Sequence, residues 1–239
     1  MLSFRRLVFL PLLVLIGLGG CAGAARRTVD TDAVMKSVAV VSLLQEDVPV
    51  QKIGLTVFNN DQRTVPMHGE LNKVATAVVE SRLKLARPAW VIKPSNAHGE
   101  KLTKKFGSAG ISWSSHTGTI KSELAALASS ASVDALFVVI DTALENERGK
   151  GVGIVLRALP GLEPSALVHA NVLVVLVDRE GNEITNRIGS GSTSTKASEL
   201  GLTVDLSSLG QPEVQKALQA QWRAKLSANT AMAMERMGY

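Results

Sequence analysis

A chain of 239 residues that is 46% hydrophobic and 20% charged has the make-up of a folded protein of one or two domains, which excludes disorder along its whole length. Lys and Arg number 26 against 21 Asp and Glu, a formal charge of +5 spread thinly, so no nucleic-acid-binding face is expected. The single cysteine excludes an intrachain disulfide, a thiolate metal cluster and a CxxC redox pair.

Residues 1–20 read as an export leader. Arg5 and Arg6 give a positive start, Leu7 to Leu18 an apolar stretch interrupted by Pro11, and Gly19 and Gly20 a small-residue end. The apolar stretch is short against the roughly 20 residues that a helix needs to cross a bilayer, so removal is expected instead of a permanent span. Leu18-Gly19-Gly20-Cys21 follows directly and resembles the lipobox of bacterial lipoproteins. Small residues admit a peptidase to the bond before Cys21, and only a thiol can form the thioether to diacylglycerol. The resemblance implies cleavage before Cys21, lipidation of its sulfur and acylation of the new amino terminus. One acyl chain holds weakly, at ~0.8 kcal/mol per buried methylene, whereas two or more hold stably. Ala22 stands where aspartate would mark retention at the inner membrane, so the resemblance implies the outer membrane, with the protein facing the periplasm.

Residues 21–33 are small and polar, with Arg26 and Arg27, and read as a lipidated tether. Residues 34–239 are expected to form a single periplasmic domain. Within it, Ser37 to Gln45 and Lys52 to Phe58 are β-branched runs that predict two strands, with a loop containing Pro49 between them. Glu70 to Ala86 places Leu71, Val74, Ala75, Val78, Val79 and Leu83 at spacings of three and four, which predicts an amphipathic helix cut off by Pro88. Trp90 to Ile92 predicts a third strand, and Ser95 to Lys105 a short helix or irregular loop. Thr119 is expected to cap a helix running to Ser130. Asp134 to Ile140 is a continuous apolar run, which predicts a strand covered on both faces. Ala166 to Val177 predicts another strand, turning at Asp178 to Asn182 into Glu183 to Thr195. A last helix from Glu213 to Met237 sets Val214, Leu218, Trp222 and Leu226 four apart. The expected fold is α/β, a mixed sheet of about five to six strands with two or three packed helices.

This arrangement resembles a group of periplasmic lipoproteins: those related to the curli secretion channel, the penicillin-binding-protein activators and the N-terminal domain of the Tol-system propeller protein. The resemblance rests on the lipobox and tether ahead of a VAVV strand at Val38 to Val41, on the small-residue turn and aspartate that open a buried strand at Ala131 to Leu136, and on the hairpin from Val172 to Ile184. The surfaces by which those families form pores or activate glycosyltransferases have no residue-level match here. The resemblance therefore implies a fold and a compartment and transfers no activity.

Candidate chemistry is sparse. His68, His98, His116 and His169 show neither an i, i+4 pair nor HExxH, so no metal site is expected. Ser114, His116 and Asp141 could assemble a hydrolytic triad, but no GxSxG elbow exposes a nucleophile. Glu145 and Glu147 with Arg148 and Lys150 read as a solvated turn. The glycines of Gly149-Lys150-Gly151-Val152-Gly153 lie between strands instead of ahead of a helix, and read as flexible turn or edge-strand glycines, as do those of Gly189-Ser190-Gly191-Ser192. The unusual feature is the apolar connection from Gly151 to Pro164, whose Ile154, Val155, Leu156, Leu159 and Leu162 need cover, either from the domain itself or from a partner. The expectation is a lipid-anchored, non-enzymatic interaction or assembly module. It is bound to membrane lipid through Cys21, uses no cofactor or nucleic acid, and has an envelope protein or its own copies as partner. The alternatives are an oligomeric secretion-channel or pore subunit and an envelope hydrolase.

Overall fold

A computed structural model of the chain describes residues 35–55, 60–94, 97–107, 113, 117–143 and 149–239. The first half contributes strands β1 (Ser37–Ser42), β2 (Asp47–Ile53) and β3 (Asp61–Pro66), helix α1 (Glu70–Ala86), strand β4 (Val91–Lys93) and helices α2 (Ala97–Gly107) and α3 (Thr117–Ala131). Then come β5 (Ala135–Asp141), β6 (Val152–Arg157), β7 (Ser165–Ala170), β8 (Val172–Asp178), β9 (Glu183–Gly189), β10 (Ser192–Lys196) and the long helix α4 (Pro212–Met237). The class is α/β. The strands divide between two mixed sheets of five: sheet 1 in the order β4-β1-β5-β8-β9 and sheet 2 in the order β10-β7-β6-β2-β3.

Sheet 1 is covered on both faces, and its sequence shows why. In β5 and β8 every position from Ala135 to Ile140 and from Val172 to Val177 is apolar, and successive side chains point to opposite sides. Ala135, Phe137 and Val139 join Val172, Val174 and Leu176 in a core shared with α1, α4 and sheet 2. Leu136, Val138 and Ile140 join Leu173, Val175 and Val177 in a second core beneath α2 and α3. Each fully buried side chain of this size contributes roughly 1.5–3 kcal/mol of transfer free energy. The aspartate of the motif that opens β5 has a structural job. Asp134 Oδ2 accepts from Lys36 N, Ser37 N and Ser37 Oγ, each at 2.9 Å, and so fastens the start of β1 to the start of β5.

The run from 166 to 177 is two strands, not one. It breaks at Asn171, where the chain passes from sheet 2 to sheet 1, and its partner makes the reverse passage at Ser190 and Gly191. A continuous apolar pattern cannot reveal such a break, because both halves bury their side chains. Helix α4 holds the bend: buried Asn229 donates Nδ2 to the carbonyls of Ala170 at 2.5 Å and Gly191 at 3.2 Å. Gly189 lies so close to the α4 backbone at Asn229 that a Cβ there would overlap the Asn229 carbonyl.

Four further expectations are corrected. The connection from Gly151 to Pro164 contains a strand, β6, in the middle of sheet 2, so Gly153 is a central-strand glycine and not an edge one. Strand β3 was not expected, because Gln62, Arg63 and Thr64 face solvent without alternation. Helix α3 starts at Thr117, which puts Thr119 inside its first turn instead of at its cap. Pro49 lies within β2, and the parallel pairing to β6 begins one residue later, at Val50 opposite Ile154.

Candidate functional site

Numbering only the strands of sheet 1 in chain order gives 2-1-3-4-5. The first crossover, from β1 through α1 to β4, places its helix on one face. The second, through α2 and α3 to β5, returns on the other face to the far side of β1. The carboxyl end of β1 is therefore a topological switch point, where the connections part and leave a crevice, and open α/β sheets bind ligands at such points.

A cleft of about 680 Å³ occupies that position, between the exit of β1 at Val41 and Ser42, the first half of α1 and the outer turn of α2. Its frame is well determined. Asn72 of α1 accepts from Leu44 N at 3.0 Å and donates to Leu44 O at 3.1 Å, clipping the helix to the strand exit. Thr103 of α2 donates its hydroxyl to the Ser42 carbonyl at 2.8 Å. Glu46 lies at the amino end of α1, where its carboxylate accepts from Gly69 N at 2.6 Å and from the Asn72 amide, a favourable place for negative charge. In the lining, Ser42 is only 3% exposed and its hydroxyl has no hydrogen-bond partner among the described residues.

A buried polar group adjoins the cleft where the two sheets meet. Asp141, at the carboxyl end of β5, accepts from Gln45 N at 2.7 Å. Burial pushes its pKa up to about 6, against the opposing pull of the Gln45 N–H and Lys150 and with Glu46 adding to the rise. Gly151, at φ 63°, passes so close to this carboxylate that any Cβ would strike it. His169, in β7, has its ring against Gly149 and Gly153, and neither nitrogen makes a well-aligned hydrogen bond to a described residue. Burial lowers its pKa, with the backbone of Leu167 and Lys150 opposing the shift. The Gly149–Gly153 segment thus provides clearance for Asp141 and His169, a reason that the glycine spacing alone could not show.

The residues singled out from sequence fall in different places. Cys21, Ser114, His116, Glu145 and Glu147 lie outside the described residues, as does the side chain of His98. His68 is exposed in the turn before α1. Among the described residues no group of three or more His, Cys, Asp or Glu could hold a metal, and no helix is long and apolar enough to cross a membrane. Ile154, Val155 and Leu156 are buried within β6 by the domain itself. Leu159 and Leu162, in the following loop, remain 42% and 64% exposed. With Leu55 at 65% and Val204 at 42%, they form an apolar end to sheet 2 around a shallow cavity of about 440 Å³. Sequence reading missed Ser42 altogether, since one serine at a strand end has no pattern to mark it.

No family model matches the chain, and no curated protein matches it. Among solved structures, it is similar to the lipoprotein GNA1162 from Neisseria meningitidis, at 17% identity and a TM-score of 0.32 over 68% of this chain and 84% of that one. It is also similar to a Xanthomonas campestris protein of the DUF330 family, at 7% identity and a TM-score of 0.38 over 85% and 83% of the two chains. Neither is described as a curli-channel, penicillin-binding-protein-activator or Tol protein.

Proposed function

We propose that this chain is a lipoprotein of the bacterial outer membrane, anchored through acylated Cys21, whose periplasmic domain works by binding another envelope protein and not by catalysis. The lipobox at Leu18 to Cys21 supports the anchor. The carrying observation for the binding role is the placement of the exposed leucines. Ser37 opens β1 at the end of sheet 1 away from the sheet junction. Leu55, Leu159 and Leu162 follow β2 and β6 at the opposite end, where sheet 2 is farthest from that junction. An exposed apolar surface at that end suits a protein partner presenting an apolar face, since contiguous apolar patches mark interaction sites.

The test is a photocrosslinking residue in place of Leu162, read in intact cell envelopes, with a second at Thr64 as reference. A partner band from position 162 that is absent from position 64, and is lost with Leu159→Ser, is expected. Recovery of monomer alone from both positions overturns the binding role, and a ladder of the protein's own copies replaces the partner with self-assembly. The intact mass of the mature protein tests the anchor separately: an acyl increment on Cys21 is expected, and its absence removes that half of the proposal.

A further inference from the structure

The cleft at the end of β1 reverses the charge character of the chain. The protein as a whole is +5, yet the cleft is lined by four carboxylates, Glu46, Asp47, Glu80 and Glu100, against two ammonium groups, Lys73 and Lys104. Glu46 is already engaged at the amino end of α1, where a phosphate or carboxylate ligand would otherwise be expected to sit. The position that would attract an anion is therefore filled from within. Lys73 is tied to Glu70 at 3.2 Å. Neither Glu80 nor Glu100 has a hydrogen bond or ion pair with any described residue.

Two features independent of that charge point to an occupant. Ser42 lines the cleft, and its hydroxyl is buried with no partner among the described residues, a state whose desolvation cost a ligand reaching it would relieve. The cavity volume, about 680 Å³, falls within the range of small-molecule sites. The lining also includes the apolar side chains of Val41 and Ala77, which suit contact with a hydrocarbon segment.

We propose that this cleft binds a small amine-bearing amphiphile, with its apolar part against Val41 and Ala77, a polar atom on Ser42 Oγ, and its ammonium group facing Glu80 and Glu100. The site is separate from the apolar end of sheet 2, so the proposal neither rests on the partner proposed there nor falls with it.

Three probes of equal chain length and different head charge decide the matter: hexylammonium, 1-hexanol and hexanoate. Each is titrated calorimetrically into the full-length protein held in zwitterionic nanodiscs, with empty nanodiscs as reference. Hexylammonium is expected to saturate one site at least about tenfold more tightly than either of the others. Glu80→Gln combined with Glu100→Gln, both on helix surfaces, is expected to weaken it about fivefold while leaving hexanol unchanged. Ser42→Ala is expected to weaken hexylammonium and hexanol alike. Hexanoate binding as well as hexylammonium, no saturation by hexylammonium up to about 10 mM, or an unchanged affinity in the double variant overturns the proposal. Should the double variant fail to fold, added salt takes its place: hexylammonium binding that is insensitive to ionic strength is equally fatal.

Discussion

The two sheets solve the same packing problem in different ways. Sheet 1 is buried on both faces, so all seven residues of β5 are inaccessible and both sides of the strand carry packing energy. Sheet 2 buries one face in the core shared with α4 and leaves much of the other to solvent, where Gln62 and Thr64 of β3 and Ser192 and Ser194 of β10 are exposed. The interior of that outer face is the exception, where Val155 and His169 are buried in β6 and β7. The doubly covered sheet provides the rigid frame, and the polar groups gather where the singly covered sheet joins it.

The largest expected effect tests that contrast directly. Leu136→Ala, on the face of sheet 1 beneath α2 and α3, should cost about 2–5 kcal/mol in urea unfolding. Thr64→Ala, on the outer face of sheet 2, should change stability by no more than about 0.5 kcal/mol. A large loss at Thr64 would break the comparison, because it would mean that the outer face is covered.

The same contrast explains what could be read without coordinates. Helix α1 is legible to its ends, because Leu71, Ala75, Val79 and Leu83 recur at helical spacing and Pro88 stops the run. β5 is legible because its run of six apolar residues is short and rich in β-branched side chains, as a strand covered on both faces requires. Strand β3 is hidden because it lies at an edge, and its exposed residues carry no burial period. β6 is hidden because the glycines before it and the prolines after it look like a loop. The division of 166–177 is invisible in principle, since a change of sheet at Asn171 leaves the apolar pattern unbroken. At the candidate site, the sequence offers Asp141 only as a member of a possible triad with Ser114 and His116, and His169 only as one of four histidines without metal spacing. What makes them unusual is burial and the glycines packed on them, neither of which spacing encodes.

Asn229→Ala should sharpen the distinction between the sheets. It leaves the Ala170 carbonyl without its side-chain donor in a buried place, at a cost of about 1–3 kcal/mol. Amide exchange should then quicken in β7 and β10 more than in β8 and β9, showing that sheet 2 opens at the bend. Uniform quickening in all four strands would mean that the two sheets unfold as one cooperative unit.

The smallest expected effect depends on pH. Folded Asp141 keeps its proton up to about pH 6, whereas an unfolded aspartate releases it near 3.9. Between these values the folded chain binds more protons, so this group makes the native state progressively less stable as pH rises, and above about pH 6 the cost is constant. Asp141→Asn removes the buried charge and keeps an oxygen able to accept from Gln45 N. Its stability relative to the parent should rise by roughly 1–3 kcal/mol from about pH 4 to pH 6 and then level off. The effect of His169 on pH dependence has the opposite sign but is common to both proteins, and it cancels in the difference. A flat difference across that window would show that Asp141 titrates as an ordinary exposed carboxyl.

Helix α4 follows all ten strands in chain order and touches both sheets: Trp222 donates its indole N–H to Gly153 O in sheet 2, and Tyr239, just beyond the helix, meets Phe137 of sheet 1 edge-on. Neither sheet can close its shared core until this last segment has been synthesised. That order of events leaves the shared core open until α4 is made, and it exposes any product truncated before Pro212 to proteolysis.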